Sequence, residues 1–119
     1  MSLREVGDRG EKLAISYLKE KGYKILKTNF ELRMGEIDII AQKEQTLCFI
    51  EVKMRSSIKF GFPFESVHSA KQKRISIAAS VYLSRYRQKF EDCRFDVLSI
   101  LMDNPIQIEH FEGAFDSLV

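Results

Sequence analysis

The chain has 119 residues, is 45% hydrophobic with 9 Phe, and carries a formal net charge of only +2. That supplies one core, so a single domain over 1–119 is expected, and it excludes a nucleic-acid binder relying on bulk positive charge. Two Cys without a CxxC and no His cluster exclude a disulfide framework or zinc site. No signal-like or membrane-length apolar run is present, so a cytoplasmic protein without a membrane partner is expected.

Val6, Leu13, Ala14, Tyr17 and Leu18 recur at helical spacing and predict a first helix from about Arg4 to Lys21, stopped by Gly22. Gly7 and Gly10 weaken its first turns, although a glycine there also permits close approach of a phosphate. Tyr23 to Phe30 reads as a strand. Two alternating segments follow, Gly35 to Ala41 and Leu47 to Lys53, joined by polar residues suited to a tight turn. Ser56-Ser57 and Gly61-Phe62-Pro63 break any period, so Met54 to Glu65 is expected to be a loop, either a substrate-facing flap or an ordinary connection.

Ile75, Ala78, Ala79, Tyr82, Leu83 and Tyr86 form the apolar stripe of a second helix, about Ser69 to Gln88. Its first turns carry Lys71, Lys73 and Arg74, the wrong sign for that end of the helix dipole. A polyanion would explain them, and so would plain solvation. Arg94 to Leu101 is a strong strand, Asn104-Pro105 a turn and Ile106 to Phe111 a last strand. Ala114, Phe115 and Leu118 then give an apolar tail suited to the core or to a second subunit. The order αβββαββ implies an α/β (α+β) fold, a mixed sheet flanked by helices.

The two alternating segments carry charge where a strand should be apolar. With a turn at Glu44-Gln45, Lys43 opposes Thr46, Asp38 opposes Glu51 and Glu36 opposes Lys53, and opposed residues share a face. Two carboxylates so placed sit roughly 5 Å apart at Cβ and repel. A divalent cation, Mg²⁺ or Mn²⁺, bridging Asp38 and Glu51 would compensate. The Val52 carbonyl is a candidate third ligand, and Glu11 on the first helix a candidate further acid. This set suits phosphodiester hydrolysis, which needs neutralised phosphate charge and an activated water. Lys53 would orient that water or stabilise developing charge. Glu36 and Gln72 are candidates to support the site, and Arg55, Lys71, Lys73 and Arg74 to contact nucleic acid. The plain alternative is a cross-strand Glu36–Lys53 ion pair and a solvated basic face. Cys48, His68 and His110 read as structural or surface residues.

Gly35-Glu36-Ile37-Asp38 followed by Phe49-Ile50-Glu51-Val52-Lys53 resembles the metal-binding core of the PD-(D/E)xK nuclease superfamily, with Ile37 where that motif has proline. The spacing, with Gly10-Glu11 before it, is similar to archaeal Holliday-junction resolvases. That resemblance implies a restriction-endonuclease-like fold, metal ligation by Glu11, Asp38 and Glu51, and Lys53 as catalytic lysine. A resemblance to the bacterial YraN family covers nearly the whole chain. It is carried by Gly10-Glu11, Gly22-Tyr23, Asn29-Phe30, Gly35 to Asp38, Glu51 to Arg55, Phe60-Gly61, Lys71-Gln72-Lys73, Arg94 to Val97 and Ala114-Phe115.

Three functions are therefore weighed. The first is a divalent-metal-dependent nuclease acting on DNA, including branched or damaged DNA. The second is a non-catalytic nucleic-acid-binding module that retains the nuclease fold, whose salt-dependent binding needs Lys71, Lys73 and Arg74 but not the acids. The third is an adaptor that uses its apolar C-terminal segment. For the first, a homodimer would double the surface available to a branched duplex.

Overall fold

The computed structural model describes residues 3–55 and 67–119. Its elements run α1 (Leu3–Glu20), β1 (Lys24–Leu32), β2 (Gly35–Lys43), β3 (Thr46–Arg55), α2 (Ser69–Arg85), β4 (Asp92–Leu101) and β5 (Gln107–Phe115). This is the expected αβββαββ order in an α+β fold. The five strands form one mixed sheet in the order β1-β2-β3-β4-β5. Only β3 and β4 are parallel; the other neighbours are antiparallel. A parallel pair needs a crossover, and the segment containing α2 supplies it.

Each face of the sheet carries its own core. Phe30, Ile37, Ile40, Leu47, Phe49 and Val97 pack with Ile75, Ala78, Ala79 and Tyr82 of α2. Ile39, Ala41, Cys48, Ile50, Leu98 and Ile100 pack with Ala14 and Leu18 of α1. Covered on both faces, β2 and β3 read as nearly unbroken apolar runs rather than strict alternations. Cys48 is fully buried, and burial pushes its thiol up to about 12, so it serves as a small core residue.

The structure moves several boundaries. Met54 and Arg55 extend β3, while 56–65, the rest of the expected loop and flap, lie outside the described residues. The second helix stops at Arg85, not Gln88, because Tyr86 turns extended while its N–H still bonds the Tyr82 carbonyl. Gln88 instead accepts a hydrogen bond from the Tyr82 hydroxyl and donates to Gln42 Oε1 on the sheet. The last strand runs on to Phe115 through a register shift opposite Asp96 and a left-handed Gly113, φ 60°. The expected tail is thus partly strand, with Phe115 stacked on Phe95 at 5.2 Å between centroids. No described helix is long and apolar enough to cross a membrane.

Candidate functional site

The hairpin turns where expected, and β2 pairs with β3 from Lys43↔Thr46 to Ile39↔Ile50. There the ladder ends. Beyond it β3 continues paired only to β4, from Glu51↔Val97 to Arg55↔Leu101. The gap is bridged by a side chain: Asp38 Oδ2 accepts the Val52 N–H at 2.8 Å. The expected Asp38–Glu51 and Glu36–Lys53 register pairs both fall beyond this ladder, although the Asp38 and Glu51 side chains still meet in a hydrogen bond.

The gap coincides with a slip in two strands at once. Ile37 belongs to the α2-side core and Ile39 to the α1-side core, although residues two apart normally share a face. Their partners on β1, Phe30 and Thr28, flank Asn29, whose φ is 51°. Asn29 and Asp38 thus occupy facing, irregular positions. A left-handed residue costs Asn less than most side chains, and such irregularities re-aim side chains out of the pleat. Asp38 is re-aimed into a cavity of ≈ 470 Å³ that it shares with Asn29, Val52 and Met54 and with Arg4, Gly7, Asp8 and Glu11 of α1.

β3 keeps its alternation. Ile50, Val52 and Met54 face α1, so Glu51 and Lys53 face α2. Glu51 is only 5% exposed. Burial, followed by its hydrogen bond to Asp38 and that residue's charge, raises its carboxyl well above the ordinary carboxylate range. Its Oε2 is buried without a hydrogen-bond partner among the described residues. The ammonium of Lys71 stands 3.5 Å from that oxygen, supplying charge but no hydrogen bond. A buried acceptor left unsatisfied beside a second carboxylate is what a small cation would relieve. Asp38 and Glu51, with the Val52 carbonyl, are the groups positioned to hold one. Among the described residues no three His, Cys, Asp or Glu side chains converge into a cage. Mg²⁺ commonly uses only one or two protein carboxylates and fills the rest of its shell with water and phosphate.

Two glycines let the helices reach the gap. A Cβ on Gly10 would meet Met54 Sδ at 1.8 Å, so glycine seats α1 close on β3 and brings Glu11 to the cavity. A Cβ on Gly35 would lie 2.1 Å from the Arg74 carbonyl, so here the α2 backbone itself approaches the start of β2. Lys71 thereby reaches Glu36 at 2.7 Å, and Arg74 stands 3.7 Å from the same carboxylate. The hydrogen bond from Lys71 pulls Glu36 below its ordinary value. Burial of Lys71 works the other way, yet Glu36 and Glu51 keep its ammonium above the ordinary lysine value. These acids explain why cations occupy the first turns of α2, which contain no acidic residue of their own.

The remaining candidates are dispersed. Gln72 donates its side-chain amide to the Val67 carbonyl, just before α2, and that N–H group serves the helix start rather than the acids. Lys73 is exposed, whereas Arg55 ends β3 and is half-buried. Asn29 was absent from the expected site set, although its amide Nδ2 lies 2.9 and 3.0 Å from the two Glu11 oxygens. Its sequence signal was an Asn in the middle of a strand-like run. Asp96 was likewise unmarked. It is fully buried and bound by Arg94 at 2.8 and 2.9 Å, His110 Nε2 at 2.7 Å and the Gly113 N–H at 2.9 Å.

Fold and site together define an α+β protein with an acid pair, one member buried and the other at a cavity, where two neighbouring strands part. The sequence matches Uncharacterised protein family UPF0102 over residues 10–100, and the chain belongs to that family, the YraN family of the resemblance above. A UPF0102 protein of Chlorobium phaeobacteroides (strain BS1) is 47% identical over 93% of this chain and 94% of its own length. One from Clostridioides difficile (strain 630) is 46% identical over 97% of this chain and 100% of its own. A third, from Chlorobium limicola, is 50% identical over 92% and 91%.

Proposed function

We propose that this protein is a divalent-metal-dependent nuclease that hydrolyses phosphodiester bonds in DNA, with branched or damaged DNA as the substrate to test first. The observation that carries this reading is the Glu51 Oε2, buried beside Asp38 with no hydrogen-bond partner among the described residues. A purely structural acid pair would be expected to have its charge cancelled and its oxygens satisfied. Mg²⁺ or Mn²⁺, when bound, would neutralise phosphate charge and favour ionisation of an attacking water.

The chain's own residues would do the rest. Asp38 and Glu51 supply the carboxylates, and the Val52 carbonyl a neutral oxygen beside them. Lys53, two residues after Glu51 on the same face, places an ammonium where charge would develop on the phosphate. Its Coulombic influence already reaches Glu51. Lys71 is held against the acids by Glu36 and offers a second cation at the same place. Lys73 is exposed beyond it and suited to a neighbouring backbone phosphate.

The test is cleavage of labelled duplex, single-stranded, flap and four-way-junction DNA with Mg²⁺ or Mn²⁺. Cleavage by the wild type that disappears in Asp38→Ala and Lys53→Ala supports the nuclease, and the best-cut member identifies the substrate class. Uncut DNA with both metals, retarded equally by wild type and Asp38→Ala, replaces the proposal with a non-catalytic binding module.

A further inference from the structure

The acid on α1 is handled unlike every other paired acid described at this site. Glu36 has Lys71 and Arg74, and Glu51 has Lys71 nearby. Glu11 instead has Asn29, whose single amide nitrogen sits between both carboxylate oxygens at 2.9 and 3.0 Å. An amide donates hydrogen bonds but carries no charge. It therefore fixes the rotamer of Glu11 without adding a counter-charge, at the wall of the cavity that Glu11 shares with Arg4, Asp8, Asp38 and Val52.

The backbone gives the same residue a second role at the same point. Asn29 is left-handed, φ 51°, and lies opposite Asp38, with Thr28↔Ile39 and Phe30↔Ile37 paired on either side. One residue thus joins the α1 acid to the strand position from which Asp38 leaves the ladder.

We infer that Asn29 is a positioning residue that aims Glu11 at the cation site formed by Asp38 and Glu51. This rests on the metal-dependent reading above. Glu11 then acts on the hydration shell of the cation or on the cation itself, and Asn29 acts only through Glu11. Groups of this kind, one bond away from a ligand, typically change metal affinity 10- to 100-fold when removed.

The experiment is a double-mutant cycle on Mn²⁺ affinity, read by calorimetric titration with Mn²⁺ alone. Its members are the wild type, Asn29→Gly, Glu11→Gln and the double variant, with Asp38→Asn as reference. Glycine accepts a left-handed φ, so Asn29→Gly removes the amide and spares the backbone. Each single variant is expected to weaken binding roughly 10- to 100-fold, and the double variant no further than either. If the two losses multiply, or Asn29→Gly binds like the wild type while Asp38→Asn does not, the inference is overturned and the metal site stands. If the wild type binds no Mn²⁺ that Asp38→Asn loses, the metal reading fails and the inference with it. Should Asn29→Gly not fold, Asn29→Asp, isosteric and tolerant of the same φ, takes its place, with repulsion of Glu11 expected to weaken binding at least as much.

Discussion

Asp38 and Asp96 are two aspartates at two irregularities of one sheet, and they are treated in opposite ways. Asp96 lies at the β4–β5 register shift, where Arg94, His110 and the Gly113 N–H converge on it. Burial opposes its ionisation, yet His110, Arg94 and Gly113 together hold its carboxyl below the usual range. Arg94 also bonds the Tyr23 hydroxyl at 2.8 Å, tying the cluster to the start of β1. Asp38 lies where β2 and β3 part, takes one backbone N–H, and has another acid as its neighbour. A fully partnered buried carboxylate fastens the sheet; an under-partnered pair keeps an oxygen available for something else. Burial and partners separate the two together: Asp96 is fully buried and four times bonded, whereas Asp38 is half-buried at the wall of a cavity.

The sharpest way to break this comparison is Asp96→Asn. It removes the charged acceptor shared by the half-buried Arg94 and by His110, leaving Arg94 only Glu112, at 3.4 Å, as an acidic partner among the described residues, and should cost about 3 kcal/mol of stability in urea unfolding. Asp38→Asn should cost far less by the same measurement. Gly35→Ala comes next. It drives a methyl into the Arg74 carbonyl, so α2 must withdraw from β2 and carry Lys71 away from Glu36. A loss of about 2–3 kcal/mol is expected.

Glu51→Gln should act in the other direction. The unfolded chain releases the Glu51 proton near the ordinary value of 4.5, while the native protein holds it to about 8. The unfolded state therefore binds fewer protons in that window, and the contribution is fully present below about 4.5 and lost as pH rises to about 8. Glu51→Gln should remove that slope and make the metal-free protein more stable at pH 8 by about 1–2 kcal/mol. Mn²⁺ should stabilise only the wild type, by about 2.7 kcal/mol at a hundredfold excess over Kd. Thermal unfolding against pH, with and without Mn²⁺, checks both statements. The smallest effect is expected from Lys73→Ala: stability within about 0.5 kcal/mol, and a log–log salt slope for DNA binding reduced by about 1.

Much of the architecture was legible because it is local. Helical stripes, the Glu44-Gln45 turn and the strand alternation each sit within a dozen residues, and together they give αβββαββ. The hairpin turn, local as it is, also brings Asp38 near Glu51. What escaped is what tertiary contact decides. The alternating segment Gly35 to Ala41 does not disclose that Ile37 and Ile39 enter different cores, because a slip in alternation is visible only when the partner strand slips as well. Glu36 was matched to Lys53 across the hairpin, yet its cation comes from α2, 35 residues away. Gln72 was aimed at the acids and serves the start of its own helix. Gly113 and the bulge at Asp96 carried the last strand past the point where the alternation stops. Asn29 escaped because its role depends on a backbone angle that strand patterning does not encode.

The bond from the Val52 N–H to Asp38 has a spectroscopic consequence. In a sheet an amide proton is normally held by a carbonyl, whose acceptor strength is fixed. Here it is held by a carboxylate, whose acceptor strength changes with charge and with any cation drawn to it. In a nitrogen–proton correlation spectrum the Val52 resonance is thus a built-in reporter. It would follow titration of the acid pair and arrival of Mg²⁺ in a single backbone signal, with no label added and no residue replaced.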